Sequence, residues 1–132
     1  MNNLIELIPK DKFDMDTVEK LKNIDLDIYD LAPIMASLFE WIQDANWPIT
    51  EELCKVLAKL KSVDIIPHIT EILRSGDDTW QFSCLYYLLP EISKGDLEQI
   101  KPEIIRLINN PTQNEILCEM DQAAKDIFDR LF

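Results

Sequence analysis

The one histidine of the chain, His68, and its three cysteines, Cys54, Cys84 and Cys118, have the side chains best suited to nucleophilic or metal chemistry. Their spacing argues against both. The cysteines are widely separated, odd in number and without a CxxC pair, so neither a disulfide framework nor a zinc site is expected. Each lies in an apolar helical stretch, where cysteine reads as a small buried hydrophobe. His68, in "IIPHIT", is expected at a partly exposed position in the first turn of a helix. With no second histidine, most triads and most histidine metal sites are excluded. Carboxylate pairs are present: Asp77 with Asp78, Glu51 with Glu52, Asp25 with Asp27. General acid–base work needs two carboxylates in different environments across one pocket, and chain neighbours point apart. No G-x-S-x-G, H-E-x-x-H or P-loop motif occurs. Catalysis is not expected, and no cofactor or metal ligand set is assigned.

A different constellation occurs twice. "WIQDANWPIT" carries Trp41, Asp44, Asn46 and Trp47; "SGDDTWQF" carries Asp77, Asp78 and Trp80. Trp47 and Trp80 each follow an aspartate by three residues. One reading is a structural joint. Asp44, Asp77 and Asp78 would serve as helix N-caps, and the indoles would cover the open end of a helix pair. The other is a recognition surface: these residues, with Tyr86 and Tyr87, form an acidic and aromatic edge that suits a basic ligand. The joint is the favoured reading, and one feature can serve both purposes.

Charge points the same way. Thirteen Lys and Arg against twenty-five Asp and Glu leave a net charge of −12. Such a chain repels phosphate backbones and speeds encounter with a basic partner. Nucleic acid and membrane are therefore not expected partners, and the oligomeric state stays open. At 47% hydrophobic and 29% charged residues over 132 positions, the composition is that of one globular domain. No apolar run reaches the roughly 20 residues of a membrane helix. "MNNLIELIPKDK" has neither a basic lead nor a small-residue cleavage site, so a cytoplasmic location is expected.

Helices must position these residues. Leu31, Ile34, Met35, Leu38, Phe39 and Ile42 follow helical spacing, as do Ile49, Leu53, Val56, Leu57 and Leu60. Further stripes are Ile66, Ile69, Ile72 and Leu73, then Ile100, Ile104, Leu107 and Ile108, widened by Ile105. Strand alternation is absent. A longer rhythm lies above the helical one. Pro33, Pro67 and Pro102 recur at intervals of 34 and 35 residues, each placed at the opening of a helix. Polar turns follow: "QDANWP", "SGDDTW" and "NNPTQN". Capping boxes are read at Asp16 with Glu19, Asp78 with Gln81, and Thr112 with Glu115. Gly76 and Gly95 are placed at helix ends.

The expected fold is all-α: a right-handed α-α superhelix, a helix-pair solenoid of the HEAT or armadillo kind. One domain spans 1-132, with an N-terminal cap over 1-29 and pairs over approximately 30-62, 63-94 and 95-132. Within the cap, a helix is expected around Asp16 to Asn23 and a short turn at Asn2 to Ile8. The last helix starts near Asn114 or restarts near Asp121. Ala124, Ile127, Phe128 and Leu131 face inward on it.

The stretches "LIPKDKFD", "WIQDANWPI", "DDTWQFSCLYYLLPEI" and "NNPT" resemble the signature of a small bacterial family of unknown function described as HEAT-like. The resemblance covers most of the chain. It implies fold and bacterial origin, and no catalytic residue. The preferred expectation is a non-catalytic protein–protein interaction module, an immunity-like inhibitor of a basic bacterial protein. A general adaptor or assembly scaffold comes next, and a small HEAT-like enzyme last. The concave face would be built from second helices, with Gln81, Tyr86, Tyr87, Glu115, Glu119 and Asp121 among its residues.

Overall fold

The computed structural model describes residues 4–132, and among them every regular element is helical. A 3-10 turn, Leu4–Leu7, precedes α1, Met15–Lys22. The expected turn at Asn2 to Ile8 thus appears in its later part; Asn2 itself lies outside the described residues. A second 3-10 turn, Ala32–Ile34, leads into α2, Met35–Glu40. Next come α3, Thr50–Leu57, and α4, Ser62–Arg74. Helix α5, Asp78–Ser83, continues into a π-helical turn, Cys84–Leu88, and a 3-10 turn, Leu89–Glu91. The chain closes with α6, Lys94–Asn109, α7, Gln113–Leu117, and α8, Met120–Leu131.

The apolar stripes explain the packing. All six stripe residues from Leu31 to Ile42 are buried, and so are all five from Ile49 to Leu60. Helix α2 has six residues, too few to persist alone in water. Its stability comes from burying Met35, Leu38 and Phe39, at roughly 1.5–3 kcal/mol for each large side chain. On α4 Ile69, Ile72 and Leu73 are buried as expected, but the stripe begins at Ile65, which is fully buried, whereas Ile66 is only partly so. On α6 the stripe narrows to Leu97, Ile100, Ile104 and Leu107, and Ile105 is exposed. Helix α2 packs on α4, α4 on α6, and α6 on α8. In parallel, α1 packs on α3, α3 on the π-helical turn after α5, and that turn on α8. One continuous hydrophobic core runs through these contacts.

Several local expectations are corrected. Pro33 does open its 3-10 turn, but Pro67 and Pro102 lie inside α4 and α6. Both are exposed, so the carbonyls of Val63 and Glu98 that their missing N–H groups would have bonded face the solvent side. These helices therefore begin earlier than the prolines suggested. Lys61 and Ser93 occupy their N-cap positions, and the Ser93 hydroxyl accepts from the Asp96 N–H. Helix α1 is capped by Asp14, which accepts from the Thr17 N–H and hydroxyl, and not by Asp16. Gly76 has φ of 77°, where glycine relieves strain, but Gly95 sits in the first turn of α6. The Thr112–Glu115 capping box is present in full. The terminal segment breaks at Glu119, whose φ of 61° is left-handed, and restarts as α8. Ala124 and Ile127 are buried there, with Phe128 and Leu131 packed against the core.

Candidate functional site

The α2–α3 joint is held by its own backbone. The Asp44 carbonyl accepts from the Trp47 N–H at 3.1 Å and from the Thr50 hydroxyl at 2.6 Å. Thr50 is fully buried, so the second bond fixes the joint to the start of α3. Asp44 Oδ1 accepts from the Asn46 N–H at 2.8 Å. That is a local turn bond rather than a helix cap; the N-cap position of α3 is Ile49. A second anchor comes from outside, where the Ile49 N–H donates to the Lys12 carbonyl at 3.2 Å. Trp41 and Trp47 pack on each other with centroids 5.6 Å apart at 55°.

The α4–α5 joint is built differently. Asp77, not Asp78, caps α5: its carboxylate accepts from the Trp80 N–H and the Thr79 hydroxyl. Asp78 thereby enters the first turn of the helix with its carboxylate outside the cap. The Trp80 indole N–H donates to the Phe39 carbonyl at 3.1 Å, locking α5 to α2. The two tryptophans that occupied matching places in the sequence thus do different work. Trp47 pairs with Trp41 inside its own joint, and Trp80 ties α5 to α2.

These placements create a groove of about 460 Å³. Asp44 and Asn46 line it from the first joint, Asp78, Thr79 and Phe82 from α5, and Tyr87 from the π-helical turn. Cys118 and Met120 close it at the α7–α8 break. Asp44 and Asp78 make no ion pair among the described residues. Phe82 on α5 is an exposed apolar side chain in the groove wall, and Ile116 and Leu117, exposed as well, precede Cys118 in the chain. Of the nine sequence-marked residues, Asp44, Asn46, Asp78 and Tyr87 line this groove, whereas Trp41, Trp47, Asp77, Trp80 and Tyr86 do not.

Tyr86 turns toward α8. Its hydroxyl donates to Asp126 Oδ2 at 3.1 Å, its ring tilts on Phe82, and the Arg130 guanidinium lies 5.9 Å from its centroid. Burial, then the hydrogen bond to Asp126, raises its pKa. Both tyrosines lie in the π-helical turn. The Leu89 N–H bonds back five residues to the Cys84 carbonyl, and Pro90 has no N–H to offer Tyr86.

Two residues expected on the concave face are buried instead. Glu115 is 1% exposed and Gln81 is fully enclosed, which removes both from any docking surface. Arg106 donates to Glu115 Oε1 at 2.6 Å and Oε2 at 3.1 Å, and also to the Leu73 carbonyl at 2.7 Å. Gln81 Nε2 donates to the same Leu73 carbonyl and to Glu115 Oε2. The Thr112 N–H donates to Glu115 Oε1, closing the capping box. Burial by itself raises the Glu115 pKa. Hydrogen bonds from Arg106, the Thr112 backbone and Gln81, with the Arg106 charge, outweigh it and hold the carboxyl at about 2. Sequence reading missed Arg106. Its signal was available, as an arginine placed one helix before a capping-box glutamate.

All three thiols have raised pKa values. Burial pushes the Cys84 thiol up to about 12 and raises Cys54 further, so both stay protonated. Cys118 is only partly buried, unlike the other two, because it follows the short α7 rather than sitting mid-helix. Burial, then Asp78, raises its pKa as well. His68 is in the second turn of α4, not the first, and stacks on Phe39 at 5.1 Å and 16°. Among the described residues no three His, Cys, Asp or Glu side chains are grouped to hold a metal ion. Among the described residues no helix is long and apolar enough to cross a membrane.

Among the described residues the protein is all-helical, with an acidic groove at its joints. The chain belongs to the family described as a domain of unknown function (DUF5071), which it matches over residues 7–128. No protein of curated function matches it.

Proposed function

We propose that the chain is a HEAT-like helix-pair repeat protein that binds a basic protein, without catalysis, through the groove at Asp44 and Asp78. Two alternating series of helix contacts support the repeat reading, as do bonds that join residues one repeat apart. Ser62 donates to Asp96 and Gln81 to Glu115, each across 34 positions, and Arg106 to the Leu73 carbonyl across 33. That is the pitch of stacked helix pairs. Right-handed winding is part of the same proposal.

The observation that carries the binding role is the groove itself. Two carboxylates without ion pairs, an amide and a phenol line it, and Phe82 provides an exposed apolar wall. A Lys or Arg on a partner would satisfy the acids, and the partner's apolar residues would cover Phe82, Ile116 and Leu117. With a net charge of −12, the chain steers such a partner toward it. An immunity-like inhibitor in the cytoplasm is the preferred form, because it would use one tight, oppositely charged partner. The test immobilises the wild-type chain and the Asp44→Asn/Asp78→Asn variant and exposes both to native lysate. The wild type should retain one basic protein in stoichiometric amount at low salt, and the variant should lose it. Retention by both, or by neither, removes the groove from the binding role. Retention of many partners favours an adaptor instead.

A further inference from the structure

A second pocket, of about 190 Å³, opens between α2, α4 and the first turn of α5. Phe39, Glu40, His68, Glu71, Ser75 and Trp80 line it. Its hydrogen-bond donors are mostly committed. The Trp80 indole N–H is held by the Phe39 carbonyl, and the Ser75 hydroxyl donates to the Ile72 carbonyl at 2.7 Å. His68 lies flat on Phe39. What remains toward a ligand is the half-buried indole face, the imidazole, and the exposed carboxylates of Glu40 and Glu71. Neither carboxylate is in an ion pair among the described residues. Glu71 lies three residues after His68, hence on the same face of α4.

Such a wall repels anions and offers a neutral acceptor little to bind. It matches a ligand that is cationic, rich in donors and flat enough to lie on an aromatic face. A guanidinium meets all three conditions, whereas an ammonium meets the first two. We propose that this pocket receives the side chain of an arginine on the partner protein. The inference rests on the basic-partner reading above and adds a second contact point. The first turn of α5 forms a wall of both cavities: Asp78 and Thr79 line the groove, and Trp80 lines the pocket. A partner carrying two basic side chains would therefore engage both at once, and the second contact would act as an intramolecular one.

The test uses the intact chain and defined probes. N-acetylarginine amide is titrated while the indole N–H resonances of the three tryptophans are followed by 1H–15N NMR, assigned with single Trp→Phe variants. The Trp80 resonance should shift saturably, and those of Trp41 and Trp47 should not. N-acetylcitrulline amide, a neutral isostere, should bind at least about tenfold more weakly. Glu40→Gln and Glu71→Gln, both at exposed positions, should each weaken the arginine probe severalfold and leave the fold intact. Spermidine should bind more weakly than arginine. A tighter response to spermidine would overturn the arginine assignment in favour of a free polyamine. An unmoved Trp80 resonance, or equal binding of citrulline, would overturn the pocket. Asp44→Asn/Asp78→Asn should leave the Trp80 response unchanged. If that variant loses the basic partner while Trp80 never responds to arginine, the groove stands and the pocket falls.

Discussion

The molecule treats its acids in two opposite ways. Glu115 is buried, bonded by Arg106, Gln81 and the Thr112 backbone, and has no capacity left for a ligand. Asp44 and Asp78 face an open groove without an ion pair. The first arrangement compensates desolvation with fixed donors and locks α5, α6 and α7 together. In the second, Asp44 accepts from the Asn46 N–H and Asp78 lies against the Cys118 thiol, and neither carboxylate is matched by a cation among the described residues. Acidity by itself therefore says little about binding. What matters is whether a carboxylate's partners lie within the chain.

Removing the buried acid should produce the largest change. Glu115→Ala should destabilise the chain by about 3 kcal/mol, read from the shift in the urea unfolding midpoint. Arg106 is partly exposed and can recover some hydration, which keeps the loss near the lower end for a broken buried pair. A loss below about 1 kcal/mol would break the contrast.

Acid titration should sharpen it. The folded-state pKa of Glu115 is depressed, to about 2 from an ordinary 4.5, so the unfolded chain takes up this proton more readily. Its contribution is present above about pH 4.5 and is lost as pH falls toward 2. The span corresponds to roughly 3 kcal/mol. Urea midpoints across that range should fall more steeply in the wild type than in Glu115→Gln.

Smaller effects come from the neighbouring aspartates. Asp77→Ala removes the α5 cap and should cost about 1 kcal/mol by the same measurement. Asp78→Asn, one residue on, should change stability by no more than about 0.5 kcal/mol, as should Asp44→Asn, whose replacement can keep the bond to the Asn46 N–H. If Asp78→Asn costs more than Asp77→Ala, the assignment of cap and groove residue is reversed.

Helix content was legible because it depends on local periodicity. The stripe from Leu31 to Ile42 and that from Ile49 to Leu60 are buried as read, since each is set by chain neighbours a turn apart. The Thr112–Glu115 box was legible for the same reason. Caps competing within one or two residues were not: Asp14 against Asp16, and Asp77 against Asp78, are separated by backbone angles that composition does not encode. The prolines misled because an exposed helix face tolerates a missing N–H, so Pro67 and Pro102 mark no helix start.

By itself, then, the sequence determined the helices, most of their apolar faces and the acidic balance. Those properties are additive over residues or local along the chain. Tertiary structure alone decided that Trp80 reaches back to Phe39, that Gln81 and Glu115 turn inward on Arg106, and that Asp44 meets Asp78 across a groove. Each of these joins residues some thirty or more positions apart, or depends on a donor supplied by another helix. Only tertiary packing fixes which carboxylate is buried among donors of the chain and which faces the groove.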